Sequence, residues 1–171
     1  MPSRFLALFL MVMSAAGLSS AQAPNTQPLD IYFIDTEGGQ ATLYVSPSGQ
    51  TLLVDTGNAG ERDLGRILGV LELAGVKQID HLFLTHYHGD HYGSMPELSK
   101  RIPIKHFYDH GDSVELDRPP IAAFAKVYAE LVGKTAHTVV KPGDKIALAG
   151  TDITVVTSAG NVLQTPIAKA P

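Results

Sequence analysis

The sequence predicts an α/β fold, in which short buried strands alternate with amphipathic helices. Apolar runs bounded by turn-forming residues, such as residues 50–54 and 79–84, are typical of strands. Residues 63–74 and 120–132 instead carry apolar side chains at helical spacing. A histidine-rich segment follows the run 79–84, and layered α/β proteins commonly place functional residues where a strand ends. We therefore expect one layered domain with a site at one edge of its sheet.

The first three strands are expected to form an antiparallel meander. They are predicted over residues 29–34, 41–45 and 50–54. A turn with two glycines joins the first pair, and a Pro-Ser-Gly β-turn at residues 47–49 joins the second. The run at residues 52–54 contains no polar position, which indicates strands that are covered on both faces.

Three helices and several further strands complete the predicted domain. The helix over residues 63–74 ends at Gly75, a common C-terminal stop. The Ser-Met-Pro-Glu sequence at residues 94–97 is typical of a capping box, so a short helix is expected to begin there with its positive end towards the site. The remaining elements are predicted as a helix over residues 120–132 and strands over residues 102–108, 138–140, 145–148 and 152–157.

A cluster of metal-binding residue types makes up the histidine-rich segment. The pattern His-x-His-x-Asp-His supplies His86, His88, Asp90 and His91. In an extended chain His86 and His88 point the same way, so both rings can reach one ion. Gly89 is expected to allow a sharp turn, which places Asp90 and His91 where a second ion could bind. Imidazoles and a carboxylate suit Zn²⁺, with Fe or Mn as alternatives, and the absence of Cys excludes thiolate sites.

The motif carries a family resemblance. HYHGDH at residues 86–91, preceded by LVDTG at residues 53–57, resembles the metallo-β-lactamase fold superfamily, and the similarity covers residues 29–160. Residues 35–42 are also similar to the start of the metallo-β-lactamase-like domain of bacterial competence (DNA-uptake) proteins. The resemblance implies an αββα sandwich of two similar halves, of which this chain carries the N-terminal half. In such proteins, further metal ligands come from the second half.

The resemblance also implies roles for individual residues. His86, His88, Asp90 and His91 would be metal ligands, and Asp90 would act in catalysis by orienting the nucleophilic water. The Asp matching Asp55 lies under the metal loop in such proteins and helps to hold it.

Two residues outside the motif remain open to two interpretations each. A carboxylate at a strand end, such as Asp55, can accept backbone or imidazole N–H bonds and orient a ligand, but it can also simply end a strand. His110 follows a predicted strand within residues 109–112, which could line the rim of the site. It is a candidate extra ligand or substrate contact, with a solvated turn as the alternative. The other three histidines, His81, His106 and His137, are interpreted as packed or surface residues.

The N-terminal residues predict export. Arg4 precedes an apolar run over residues 5–18, and small residues follow at the spacing of signal-peptidase sites. Cleavage is expected after Ala21, with Ala23 as second choice because a proline follows it. The expected organisation is a signal peptide at residues 1–21, a lead-in at 22–28, the domain at 29–160 and an irregular tail at 161–171. The protein is then periplasmic or secreted, without a stable membrane anchor.

These observations favour an exported metal-dependent hydrolase that acts on a small molecule. No convincing strand-end ligand motif follows residue 112, so the sequence predicts a truncated domain. A non-catalytic fragment that binds metal weakly or not at all is the alternative, and a DNA-uptake-related, nuclease-like domain is a lesser one. The net charge of −4 does not indicate nucleic-acid binding. Without the second half, an uncovered apolar sheet face is expected to promote self-association.

Overall fold

The computed structural model describes residues 27–167. The predicted signal peptide, both cleavage positions and the last residues of the predicted tail lie outside this range. The elements are β1 (Asp30–Phe33), β2 (Thr42–Val45), β3 (Thr51–Val54), α1 (Glu61–Leu73), β4 (His81–Phe83), α2 (Gly89–Tyr92), α3 (Met95–Arg101), β5 (His106–Asp109), α4 (Pro119–Val132), β6 (Ala136–Val139), β7 (Lys145–Ile146), β8 (Ile153–Thr154), β9 (Thr157–Ser158) and β10 (Asn161–Val162). None of the helices in the described range is long and apolar enough to cross a membrane.

A mixed six-stranded sheet in the order β1-β2-β3-β4-β5-β6 organises the domain, which confirms the α/β fold class. The predicted meander is present, because β1, β2 and β3 pair antiparallel. From β3 to β6 the neighbouring strands are parallel. Parallel neighbours need crossover connections, and helices supply them here: α1 before β4, α2 and α3 before β5, and α4 before β6. The carboxyl ends of β3, β4 and β5 therefore meet at one edge of the sheet.

One face of the sheet packs against the helices. Leu43, Leu53, Leu82 and Phe107 sit at paired positions across β2 to β5 and are almost fully buried. The helices bury their predicted apolar positions against this row, including Leu64, Ile67 and Leu71 of α1 and Ile121, Phe124 and Tyr128 of α4. Burial of each large apolar side chain contributes about 1.5–3 kcal/mol, so this layer fixes the strands that carry the site.

The opposite face of the sheet is largely covered, although we expected it to lie open. Residues after β6 fold back over it and form a second core, which comprises Leu52, Tyr108, Val140, Ile146, Leu148 and Val155. This cover was not predicted, because the family resemblance implies that a second half of the domain covers that face. Apolar side chains stay exposed along the edge strand β1, where Ile31 is 45% and Phe33 is 83% exposed. Between β3, β4 and the returning chain, a cleft of about 590 Å³ remains.

Two local predictions around the motif are corrected by the structure. Gly89 has no left-handed backbone but begins the short helix α2, so the chain turns by starting a helix. Ser94 does not cap α3. Its hydroxyl donates to the carbonyl of Asn58 at 2.6 Å, because α2 leads almost directly into α3 and brings Ser94 against the loop after β3. The tail was predicted to be irregular, but its first residues form β10, which pairs with β9 as a short hairpin.

Candidate metal centre

The first two histidines of the motif come together at the end of β4. His86 Nε2 lies 3.1 Å from His88 Nδ1, as their same-side spacing predicts. The side chain of Tyr87, which lies between them in the sequence, points the opposite way and is only 7% exposed. Its ring packs edge-on against Phe124 at 5.4 Å and Tyr128 at 5.6 Å. This packing of the Tyr87 ring thus fixes the backbone from which both imidazoles project.

Asp55 lies directly beneath the motif and is fully buried. Its carboxylate accepts hydrogen bonds from the Thr85 backbone N–H at 2.8 Å, the Thr85 hydroxyl at 2.6 Å and His91 Nδ1 at 2.7 Å. Burial raises the pKa of Asp55 above its ordinary value, and these bonds to Thr85 and His91 oppose the rise. The backbone φ of Asp55 is 57°, an uncommon left-handed value that Asp tolerates better than most residues. Asp55 therefore holds both ends of the loop that carries the histidines.

Hydrogen bonds assign the proton on each imidazole of the motif. The Thr85 hydroxyl gives its only hydrogen to Asp55, so it accepts from His86 Nδ1 at 3.1 Å. His91 Nδ1 donates to Asp55, and His88 Nε2 donates to the carboxylate of Glu115. A neutral imidazole carries one N–H, so the free lone pairs lie on His86 Nε2, His88 Nδ1 and His91 Nε2. Burial, followed by the nearby imidazoles of His91 and His88, lowers the pKa of His86, which keeps that ring neutral at neutral pH.

The backbone of α2 is clamped by the loops after β1 and β3. Gln40 N donates to Asp90 O at 3.1 Å, and Thr56 N donates to His91 O at 2.6 Å. Gly93 N donates to Gly57 O at 2.8 Å. These close approaches leave no room for a side chain at Gly93, where a Cβ would stand 2.1 Å from a backbone nitrogen of the β3 loop. The clamp fixes the position of Asp90 and His91 relative to the first two histidines.

A cavity of about 370 Å³ opens beside the motif and is shared with the loop between β5 and α4. His86, His88, His110 and Glu115 contribute to its lining. The Nδ1 atom of His110 is buried without a hydrogen-bond partner in the described part of the chain. The structure therefore places His110 at the rim, as proposed from the sequence, but no contact makes it a ligand.

Sequence reasoning missed two residues that shape the site. Thr85 directly precedes the motif, and this adjacency was the only feature of the sequence that could have indicated its role. Glu115 lies in an irregular loop and had no signal, because nothing in its local sequence indicates that it returns to His88. Hydrogen bonds from His88 and Arg118 lower the pKa of the Glu115 carboxyl, which keeps it ionised.

The remaining candidates lie outside the cluster. Asp109, expected at the rim, is instead buried, where it accepts hydrogen bonds from Tyr128 and His137. Asp109 contacts these two residues because its side chain lies on the helix-facing side of β5. The contact holds His137 away from the site. His81 and His106 share hydrogen bonds with the hydroxyl of Tyr108. These three histidines thus have partners that explain them without a metal.

The donor chemistry fits a metal ion, but the ligand set is partial. Two nitrogens bound to one tetrahedral zinc ion lie about 3.4 Å apart, close to the 3.1 Å between His86 Nε2 and His88 Nδ1. The carboxylate of Asp90 is 3.8 Å from His91 Nε2 and 39% exposed. Within residues 27–167, no group of three or more His, Asp or Glu side chains meets the geometry of a metal site. Any ion here needs additional ligands from water, a substrate or another segment.

Comparisons with known proteins agree with this description. Residues 34–157 match the family model of the metallo-beta-lactamase superfamily. The lactamase-like protein nscB of Aspergillus fumigatus is 32% identical over 108 residues, which are 63% of this chain and 32% of nscB. A metal-dependent hydrolase of Staphylococcus saprophyticus is 39% identical over 66 residues, which are 37% of this chain and 25% of that protein. The aligned part thus spans a third or less of either relative.

A solved structure shows the same fold. The crystal structure of the metallo-beta-lactamase MIM-1 from Novosphingobium pentaromativorans aligns with a TM-score of 0.50 and 18% sequence identity. The alignment covers 72% of this chain and 46% of MIM-1. At this identity the likeness concerns the fold alone.

Proposed function

The chain belongs to the metallo-beta-lactamase superfamily, and from that premise we propose that it acts as an exported, metal-dependent hydrolase. The proposed metal ligands are His86, His88, Asp90 and His91. Zinc is the proposed metal, with iron or manganese as alternatives, because neutral imidazoles with one carboxylate suit these ions. Export rests on the N-terminal sequence, and N-terminal sequencing of the protein from the periplasm or medium tests it. Protein that keeps an intact Met1 and is found in the cytosol would contradict export.

One observation carries the proposal. His86 Nε2 and His88 Nδ1 face each other at 3.1 Å, and the other nitrogen of each ring contacts a protein oxygen, on Thr85 or Glu115. When both rings are neutral and carry their hydrogens on His86 Nδ1 and His88 Nε2, the two facing nitrogens both present lone pairs, which repel unless a cation lies between them. A metal ion is the species that this arrangement suits best.

The residues of this chain would bind and orient the reactants. A bound ion of this kind supplies Lewis acidity and makes a water molecule acidic near neutral pH. His86 and His88 would hold it, and His91 and Asp90 would contribute to a site that water, a substrate or another segment completes. Asp55 keeps the Nε2 lone pair of His91 available through its bond to Nδ1. The carboxylate of Asp90 is partly exposed and in reach of His91 Nε2, so it can accept a hydrogen bond from an attacking water and orient it.

A small molecule with a carbonyl or phosphoryl group is the proposed substrate class. The net charge of −4 does not favour a polyanion such as DNA. The non-catalytic fragment stays the second candidate, and the partial ligand set among residues 27–167 is the observation that favours it.

Zinc-dependent turnover tests the proposal. The mature chain would be assayed with a chromogenic ester, a β-lactam and a phosphodiester, before and after chelation. We expect turnover that chelation abolishes and that Asp90→Asn lowers by about 10²–10⁴-fold, the usual contribution of a positioned proton acceptor. Glu72→Gln, a carboxylate substitution on the exposed side of α1, is the matched control and should retain activity. Bound zinc without turnover would favour the non-catalytic fragment, and turnover that survives chelation would contradict a metal mechanism.

A further inference from the structure

Glu115 lies outside the motif, in the loop between β5 and α4, and contacts His88 of the motif. Its Oε2 atom lies 2.5 Å from His88 Nε2, and the two residues are separated by 27 positions along the chain. The contact lies at the border of the cavity that His86 also lines. It links the loop between β5 and α4 to the loop that follows β4.

An ionised carboxylate makes this contact specific for one tautomer of the imidazole. A carboxylate can only accept hydrogen bonds, so His88 Nε2 has to be the nitrogen that carries the hydrogen. The free lone pair then lies on Nδ1, and this is the atom that faces His86 Nε2 at 3.1 Å. The His88 side chain is 44% exposed, and its contact with His86 does not by itself select a tautomer, so the carboxylate at Nε2 decides which ring nitrogen carries the hydrogen.

Glu115 is itself held in place, as a residue that orients another must be. Its second carboxylate oxygen, Oε1, accepts from Arg118 Nη1 at 2.7 Å. Its backbone nitrogen donates to the Ser113 hydroxyl at 3.2 Å, and its carbonyl accepts from Arg118 N at 3.0 Å. Arg118 directly precedes the first residue of α4, so the loop is fixed where that helix begins. The carboxylate therefore has one oxygen committed to Arg118 and the other to His88.

The same geometry argues against Glu115 as a ligand. Its carboxylate lies at the Nε2 side of the His88 ring, whereas the nitrogen that faces His86 is Nδ1. The two ring nitrogens point in different directions, so the carboxylate does not share the space between the two histidines.

We propose that Glu115 is a positioning residue that fixes the tautomer and rotation of His88 and so presents Nδ1 for metal binding. The inference rests on the proposed function, because it assigns to His88 the role of a ligand. Partners of this kind behind a ligating imidazole typically raise metal affinity by about 10–100-fold.

Two variants and one control separate this role from a general effect of charge. Glu115→Ala removes the acceptor, whereas Glu115→Gln keeps a carbonyl oxygen at the same place and should rescue most of the effect. Asp112→Asn is the control, since Asp112 is an acidic residue of the same loop that lines the same cavity. Each variant would be prepared as the full mature chain, and circular dichroism would verify that it is folded.

The first readout is the tautomer of His88 in the metal-free chain, from ¹⁵N NMR of its ring nitrogens at a pH where imidazoles are neutral. We expect a single Nε2–H tautomer in the wild type, Glu115→Gln and Asp112→Asn, and a mixture in Glu115→Ala. The second readout is the zinc dissociation constant, which should rise about 10–100-fold in Glu115→Ala only. An unchanged tautomer in Glu115→Ala would overturn the inference. A tautomer change in a chain that binds no zinc would instead overturn the proposed function and support the positioning of His88.

Discussion

Replacing Gly93 by alanine should break the clamp that positions the second half of the motif. The backbone of Gly93 is helical, with φ at −53°, so a β-carbon adds no conformational strain. The obstacle is space, because the new Cβ would lie 2.1 Å from Ala59 N and 2.4 Å from the carbonyl carbon of Asn58. Both are backbone atoms, so the two segments have to separate. Separation would strain the bonds from Gly93 N to Gly57 O at 2.8 Å and from the Ser94 hydroxyl to Asn58 O at 2.6 Å.

The cost can be worked out from these contacts. Overpacking a filled site costs about 1–3 kcal/mol, and each of the two weakened hydrogen bonds costs about 1 kcal/mol. We therefore expect Gly93→Ala to lower the free energy of unfolding by about 3–5 kcal/mol, which corresponds to a melting temperature about 10 °C lower for a chain of this size. Zinc affinity should fall as well, since the clamp sets where Asp90 and His91 lie. Urea and thermal unfolding followed by circular dichroism would measure the stability change.

A glycine with free space around it provides the control. Gly65 lies on the exposed side of α1, and a Cβ there would meet nothing within 4 Å. Gly65→Ala should leave stability unchanged or raise it by up to about 1 kcal/mol, because alanine favours helix. If Gly93→Ala proved as stable as Gly65→Ala, the close approach would be absent and the reasoning about the clamp would be refuted.

Three further changes probe other parts of the molecule. Asp55→Asn replaces a carboxylate that accepts three hydrogen bonds by an amide. It should therefore lower the free energy of unfolding by about 1–3 kcal/mol and weaken zinc binding about 10–100-fold. Unchanged values in unfolding experiments and zinc titrations would contradict the role of Asp55. Burial alone would raise the pKa of Asp80, but bonds from Thr51 and Lys105 outweigh it and lower the pKa below 3.8. Its stabilisation is therefore present above the unfolded pKa of 3.8 and lost as pH falls through the lower folded value. The stability gap between wild type and Asp80→Asn should accordingly close between about pH 5 and pH 2, and a gap independent of pH would be inconsistent with this. Phe33 is 83% exposed on the edge strand; Phe33→Ser should reduce self-association in light scattering, and a wild type that is already monomeric would contradict the role of this surface.

The parts of the fold that follow from local periodicity were predictable. Apolar spacing within residues 63–74 predicted α1, and tight turns predicted the meander, since both depend on residues that are near in sequence. The pairing of His86 and His88 was predictable for the same reason, because side chains two apart in an extended chain share a side. The family resemblance of the motif is confirmed by the match over residues 34–157.

Long-range contacts could not be predicted in this way. The return of Ile146 and Leu148 over the second face depends on where the chain goes after β6, which no local pattern states. Glu115 reaches His88 across a loop without regular structure, so no periodicity points to it. Ser94 illustrates the reverse error, because a correct capping signature was overridden when the preceding helix brought its hydroxyl to the Asn58 carbonyl. Tertiary contacts thus decided each of these positions.

The central claim is that the histidines at the end of β4 bind a metal ion, and zinc analysis after equilibrium dialysis tests it most directly. The measurement compares the wild type with His86→Ala and with His106→Asn, whose histidine hydrogen-bonds to Thr138 and Tyr108 instead of the motif. The account predicts about one zinc per chain, held more weakly than in a closed four-ligand site. Zinc should be lost in His86→Ala and retained in His106→Asn. A wild type that binds no zinc, or a His86→Ala variant that binds as much as the wild type, would contradict the account.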